Sequence, residues 1–94
     1  DIMAVNYEMM ERVDGKTAPQ LDKDLRDIID AGNTEIHIDM TNTKYMSSAG
    51  LRALLSAQKS INKLSGSMVL SGVSDAVKEI FDVTGFSGFL TIED

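Results

Sequence analysis

The chain has 94 residues, of which 43% are hydrophobic, and its formal net charge is −6 at pH 7. This hydrophobic content excludes an intrinsically disordered chain, and the length fits one domain with a modest core. Nine scattered Lys and Arg residues against fifteen acids argue against nucleic-acid binding, which requires clustered positive charge. The acidity favours a basic or mixed partner surface, or it only keeps a small protein soluble.

The sequence shows no sign of export or of a membrane anchor. No apolar run approaches the roughly 18 residues that a transmembrane helix needs, and no signal-peptide pattern is present. The chain has no cysteine, which excludes disulfides and thiolate metal sites and fits a reducing compartment. We therefore expect a cytoplasmic protein that does not contact the membrane.

The first third of the chain predicts a strand and a helix. Residues Ile2 to Met10 alternate between two sets of side chains, as a strand does, and Glu11 to Lys16 form a polar turn. Thr17 is predicted to cap the following helix in a capping box with Gln20, and Pro19 suits its first turn. The inward stripe of this helix is predicted to consist of Leu21, Leu25, Ile28 and Ile29.

The centre of the chain is predicted to be a strand that leads into a helix across two serines. Glu35 to Met40 alternates with period two, whereas apolar residues from Leu51 onward recur at helical spacing. The helix is predicted from about Ala49 to Leu64. A helix start has free backbone N–H groups and a partial positive charge, so it favours both a serine cap and a phosphate.

The last third predicts another strand, at Ser67 to Ser71, and a third helix that Ser74 caps and Gly85 ends. The final segment is predicted to hold a strand that includes Phe89, Leu90 and Ile92. Alternating strands and helices predict an α/β fold with parallel strands and right-handed crossovers. Functional loops of such sheets lie at the carboxyl ends of strands, where the connection from Met40 to Gly50 belongs.

Motifs for catalysis or nucleotide binding are absent from the sequence. Ser47 and Ser48 do not lie in a G-x-S-x-G elbow, and there is neither a P-loop nor a G-x-G-x-x-G turn. The only histidine, His37, lies in the middle of a predicted strand and is expected to be a plain surface residue or a residue of the second face of the sheet. Acids of the first helix are expected to form a solvated face. We therefore expect no catalytic residue, no cofactor and no metal site.

The two serines at the strand-to-helix junction have two interpretations. In the first, Ser47 or Ser48 only caps the helix. In the second, one serine is reversibly phosphorylated, which adds about −1.5 to −2 charges and three strong acceptor oxygens. A helix start would tolerate that charge, but a partner presenting acids or an apolar patch there would not. Phosphorylation would then block a contact with little change of fold.

Three segments resemble STAS domains, the family of bacterial anti-sigma-factor antagonists. Asp39–Thr41 with Tyr45–Arg52 resembles the family signature of a strand that ends in Asp, an aromatic residue and Ser-Ser-Ala-Gly-Leu-Arg. Arg12–Asp14 with Thr17–Pro19 is similar to the segment before the family's first helix, and Val77–Phe86 to the end of its third helix. The resemblance covers nearly the whole chain.

This resemblance implies an α/β STAS fold, a small mixed β-sheet with helices packed against it. It implies a single STAS domain over residues 1–94, with the usual first strand short or absent at Asp1. It also implies binding rather than catalysis. In the family, the unphosphorylated form binds an anti-sigma factor, itself a serine kinase, and thereby frees a sigma factor. The kinase ends this binding by phosphorylating one serine, and a PP2C-type phosphatase reverses the modification.

The family's acceptor position falls on Ser48. An acid often precedes the acceptor in the family, and Ser47 stands there instead, so Ser47 is a competing acceptor. Glu11 occupies the place of a frequent glycine. The alternative function is a non-phosphorylated STAS scaffold, or a regulatory module of a stress-signalling or transport complex. Residues that the resemblance places on the partner-binding surface are Asp14, Thr17, Tyr45, Met46, Ser47, Gly50, Leu51 and Arg52, the last two on the condition that they are exposed on the first helical turn.

Overall fold

The computed structural model describes residues 4–93 as a four-stranded sheet, a separate two-stranded ladder, three α-helices and one short 3-10 helix. In chain order the elements are β1 (Val5–Glu8), β2 (Arg12–Val13), α1 (Ala18–Asp30), β3 (Glu35–Asp39), β4 (Tyr45–Met46), α2 (Ser48–Lys63), β5 (Ser67–Ser71), α3 (Asp75–Val83), the 3-10 helix Phe86–Gly88 and β6 (Thr91–Ile92). The sheet has the order β1-β3-β5-β6, and β2 pairs with β4.

Every strand pairing within residues 4–93 is parallel, as the alternation of elements predicts. Each connection between neighbouring strands of the four-stranded sheet passes through a helix, which is the connection that parallel pairing needs. The mixed sheet that the resemblance implies is therefore parallel over the described residues. The α/β fold class is confirmed.

One face of the sheet supplies the hydrophobic core. Ile36 and Ile38 of β3 are at most 2% exposed and are aligned with Met68 and Leu70 of β5. Side chains of all three α-helices join the same buried cluster, including Leu21, Leu25, Leu54, Ile61, Val77 and Phe81. The opposite face contributes nothing to this cluster.

His37 lies on that opposite face, which agrees with the prediction of a plain surface position. Its two ring nitrogens lie 3.0 Å from Asn6 Oδ1 of β1 and 2.7 Å from Ser71 Oγ of β5. The imidazole thus links three neighbouring strands. These two contacts account for the position of His37 without a catalytic role.

Three predictions about strands need correction. The first strand spans only Val5–Glu8, and residues 2 and 3 of the predicted strand lie outside the described part of the chain. Strands β2 and β4 lie where the sequence pattern predicts a turn and a loop. They were not predicted because two residues are too few to show the alternation of a strand. The segment after Gly85 begins as a 3-10 turn, in which the N–H groups of Phe89 and Leu90 bond to Phe86 O.

The predicted final strand is thereby reduced to Thr91–Ile92. Gly85 has a φ of +80°, so the chain leaves α3 in a left-handed turn that places the next residues in a helical arc. Phe89, predicted to lie in the strand, is 64% exposed.

Gly50 fixes how closely α2 approaches the β2–β4 ladder. A Cβ at this position would collide with Met46 Sδ and would lie 2.6 Å from Val13 Cγ1. Val13 and Met46 are paired across the ladder and both are buried. The first turn of α2 therefore rests directly on this pair, and only glycine leaves room for it.

We expect Gly50→Ala to lower the free energy of unfolding by about 1–3 kcal/mol, the usual cost of overpacking, although alanine is the better helix former. Urea denaturation measures this. Gly15→Ala is the matched control, since a Cβ at Gly15 meets nothing within 4 Å, and it should leave stability unchanged or slightly higher. Equal stabilities of the two variants would contradict the packing account.

Candidate partner-binding site

The connection from β4 into α2, residues 46–50, is here called the serine junction. Ser47 is the N-cap of α2, and its side chain accepts a hydrogen bond from Gly50 N at 3.4 Å. Ser48 is the first residue of the helix and is exposed. Its hydroxyl takes part in none of the side-chain hydrogen bonds found among residues 4–93. Ser47 therefore caps the helix, and the Ser48 hydroxyl is not needed for capping.

Hydrogen bonds hold the serine junction and the loop before it against the connection between β1 and α1. Ser47 N donates to Val13 O at 2.8 Å, and Lys44 N donates to Glu11 O at 2.8 Å. Thr43, 1% exposed, donates its hydroxyl to Met10 O at 2.9 Å. These bonds join segments about thirty residues apart in the chain. Ser48 is thus presented from a fixed position.

The loop before α1 is organised by Asp14. Its carboxylate accepts bonds from Lys16 N at 2.9 Å, from Thr17 N at 3.1 Å and from Arg12 Nε at 2.9 Å. The backbone N–H of Lys16, the Arg12 side chain and the backbone N–H of Thr17 hold the pKa of Asp14 below its usual 3.8. Ser47 bonds to the backbone of neighbouring Val13, so Asp14 lies beside the serine junction.

The predicted capping box at Thr17 is wrong. The Thr17 side chain makes no cap bond to the helix; it accepts from Asp14 N and donates to Arg12 O at 2.8 Å. Gln20 reaches forward to Asp24 Oδ1 instead of back to the cap. The carboxylate of Asp14 is the stronger acceptor, and it takes the Thr17 N–H that leads into the helix.

Arg12 lies over the ring of Tyr45, with its guanidinium carbon 4.3 Å from the ring centroid. Its Nε bonds to Asp14, so the guanidinium is held by a carboxylate and by a π-face together. Beside it, Lys44 pairs with Glu11 at 3.3 Å. The expected contact set omits Arg12, although this residue bonds directly to Asp14, which the set includes.

The structure divides the expected contact residues into two groups. Asp14, Thr17 and Ser47 are half-buried, Tyr45 is 39% exposed, and Arg52 is exposed. The second group consists of residues that the structure buries, namely Met46, Gly50 and Leu51. Leu51 was expected as a contact only if it were exposed, and this condition is not met: it is 4% exposed because it begins the stripe, with Leu54 and Ile61, that α2 turns to the core. The buried residues shape the surface from beneath.

Other kinds of site find no support in the described residues. Within residues 4–93, no group of three or more His, Asp or Glu side chains is placed to hold a metal ion. None of the helices in this range combines the length and the apolar character that crossing a membrane requires.

Comparison with known families identifies the fold. The sequence profile of the STAS domain matches residues 3–94. The chain belongs to the STAS domain family. STAS proteins of similar sequence include BtrV of Bordetella bronchiseptica, provisionally named an anti-sigma factor antagonist, which is 34% identical over 74 residues. That match covers 79% of this chain and 64% of BtrV, so the chain spans less than two thirds of this relative.

Solved STAS structures confirm the architecture. A Thermotoga maritima protein, provisionally described as an anti-sigma factor antagonist, superimposes with a TM-score of 0.86 at 18% identity, covering all of this chain and 83% of its own. SpoIIAA of Bacillus in its phosphorylated form gives a TM-score of 0.70 at 17% identity, covering 93% and 79%. The unphosphorylated form of SpoIIAA, described as an anti-sigma factor antagonist, gives 0.71 at 16% identity, covering 100% and 84%.

The two serines should differ in their effect on stability. Ser47→Ala removes the cap of α2 and should cost about 1 kcal/mol in the free energy of unfolding. Ser48→Ala removes an exposed hydroxyl and should stay within about 0.5 kcal/mol of wild type. Thermal and urea denaturation of both variants measure this, and a larger loss for Ser48→Ala would reverse the assigned roles.

Because the pKa of Asp14 is lowered by folding, its charged form stabilises the native state. That contribution is fully present above 3.8 and is lost as the pH falls through the folded-state pKa. The difference in stability between wild type and Asp14→Asn should therefore be constant near neutrality and shrink below pH 3.8. Urea denaturation at several pH values measures it; a difference that does not change with pH would contradict the assignment.

Proposed function

We propose that this protein is an anti-sigma factor antagonist that is switched by phosphorylation of Ser48. Its unphosphorylated form binds an anti-sigma factor that is a serine kinase, and a sigma factor is released. Phosphorylation by that kinase ends the complex, and a PP2C-type phosphatase restores it. The observation that carries the proposal is the hydroxyl of Ser48. It is exposed at a rigid strand-to-helix junction and takes part in no side-chain hydrogen bond found among residues 4–93.

Ser48 is favoured over Ser47 as the acceptor by the state of the two hydroxyls. The Ser47 oxygen already accepts the Gly50 N–H, and the residue is half-buried. A kinase would have to break the cap to reach it. Ser48 is exposed and offers its hydroxyl without disturbing any bond of the helix.

The names of similar proteins support the same proposal. BtrV is provisionally named an anti-sigma factor antagonist, and SpoIIAA is described as one in its unphosphorylated form. SpoIIAA has also been solved in a phosphorylated form. A protein with this fold can therefore carry a phosphate, which is the step that the switch requires.

A phosphate on Ser48 is expected to change the surface and spare the fold. The first helical position is exposed, so the added group extends into solvent and displaces no core atom. The dipole and the free N–H groups of the helix start favour its negative charge. A docked partner would meet about two new charges in the contact, and their desolvation would oppose binding.

The proposal is tested by incubating the protein with the anti-sigma factor kinase of its source organism and Mg-ATP, and by mapping the modified residue by mass spectrometry. We expect one phosphate on Ser48, its loss in Ser48→Ala and its retention in Ser47→Ala. Ser48→Asp should weaken binding to the kinase by about tenfold or more, whereas Ser48→Ala should bind like wild type.

Two outcomes would contradict the proposal. A phosphate on another residue would move the switch away from the serine junction. A complex that persists in the presence of ATP, with no phosphate on either serine, would favour a non-phosphorylated STAS scaffold.

A further inference from the structure

An open groove lies beside Ser48, between the start of α1 and the first two turns of α2, with a volume of about 280 Å³. Its walls are small apolar surfaces: Gly15, Ala18 and Pro19 on one side, Ala49 and Ala53 on the other. Arg52 lines the same groove and is exposed. The groove therefore combines an apolar lining, wide enough for one or two side chains, with a cationic edge.

The surface around this groove has the opposite sign to the rest of the protein. Four basic side chains occupy the β2–β4 ladder, the loop before α1 and the first turns of α2: Arg12, Lys16, Lys44 and Arg52. Two of them are paired, Arg12 with Asp14 and Lys44 with Glu11. Lys16 and Arg52 take part in none of the ion pairs found among residues 4–93. This surface is net positive on a chain whose net charge is −6.

The acid of the groove does not cancel that positive charge. Asp22 lines the groove, but its carboxylate already bonds Arg26 at 2.8 Å. Over the rest of the chain acids outnumber basic residues, so an acidic partner is on balance repelled there and attracted here. Complementary charge sets orientation and encounter rate more than it sets total affinity.

We propose that this groove receives a segment of the anti-sigma factor that carries an apolar side chain next to a carboxylate. The apolar group fills the space between α1 and α2, and the carboxylate pairs with Arg52. The inference rests on the proposed function, because it names the chemistry by which the partner recognises the same surface. A carboxylate at this contact fits the mixed partner surface, one of the two kinds that the net charge favours.

The same geometry explains how a phosphate on Ser48 ends docking. Residues four apart on a helix are neighbours, with Cβ atoms about 5–6 Å apart, so Ser48 and Arg52 lie on one face of α2. A phosphoserine at position 48 pairs with the Arg52 guanidinium in the partner's absence. The partner's carboxylate then loses its cation and faces a dianion. Phosphorylation thus acts by substituting one anion for another on Arg52.

The test measures the affinity of the unphosphorylated protein for its anti-sigma factor kinase, without nucleotide, by calorimetry. Gly15 lines the groove, so Gly15→Phe should place an aromatic ring at its wall, and it should do so without strain because a Cβ at Gly15 meets nothing within 4 Å. Gly88→Phe is its matched control, also unobstructed but on the 3-10 helix. Arg52→Glu reverses the charge at the edge of the groove. Lys63→Glu is its control, because it makes the same charge change in the last turn of α2.

We expect Gly15→Phe and Arg52→Glu each to weaken binding by about tenfold or more, and the two controls to stay within about twofold of wild type. If the affinity of Gly15→Phe or of Arg52→Glu equals that of its control, this inference is overturned and the proposed function still stands. Failure of the wild type itself to bind would instead overturn the proposed function, and this inference with it.

A second measurement needs no kinase. Phosphoserine is installed at position 48 by genetic encoding, and its second pKa is followed by phosphorus NMR. That pKa should be lower in the otherwise unchanged protein than in the Arg52→Gln variant, while Lys63→Gln should have no effect. Identical titrations in all three proteins would overturn the pairing of the phosphate with Arg52.

Discussion

The contact on which the rest of the structure depends is the seat of α2 on the Val13–Met46 pair. Gly50 brings the first helical turn against these two side chains, and the Ser47 N–H bonds to Val13 O at 2.8 Å. The contact joins a helix start to a ladder whose strands come from distant parts of the chain. Because the backbone is fixed on the inner side, Ser48 on the outer side is held in place without a side-chain hydrogen bond among the described residues.

This arrangement separates the groups that stabilise the fold from those exposed on the first turns of α2. Ser47 caps the helix, Leu51 and Met46 are buried, and Asp14 holds the neighbouring loop through three hydrogen bonds. Ser48 and Arg52 are exposed, and within the described residues neither side chain takes part in a hydrogen bond or an ion pair that holds the fold. A modification of Ser48 therefore alters what a partner meets and leaves the groups that hold the fold untouched.

Much of the fold is predictable from the sequence because its longer elements have clear periods. The alternation of Glu35–Met40 and the helical spacing after Leu51 place β3 and α2 to within about a residue or two of their observed bounds. The two-residue strands β2 and β4 are not predictable in this way, since pairing depends on a partner remote in sequence. The last segment misleads because Phe89 and Leu90 suit a strand, while the left-handed Gly85 directs them into a turn.

The candidate site was predictable in position but not in detail. A change from strand to helix period across two serines locates the serine junction, and the family resemblance selects Ser48. Sequence alone left open which serine caps the helix, because both stand at the boundary. It also left the exposure of Leu51 open, since exposure in a first helical turn depends on how the helix is rotated against the sheet. The groove beside Arg52 has no signal in sequence, because it arises from the spacing of two helices.

The most direct test of the central claim compares amide NMR spectra of the protein with serine and with encoded phosphoserine at position 48. If phosphorylation of Ser48 leaves the fold unchanged, the amide chemical-shift changes should be confined to the β2–β4 ladder, the loop before α1 and the first turns of α2. Changes spread through β3, β5 and the core, or a general loss of dispersion, would contradict the account.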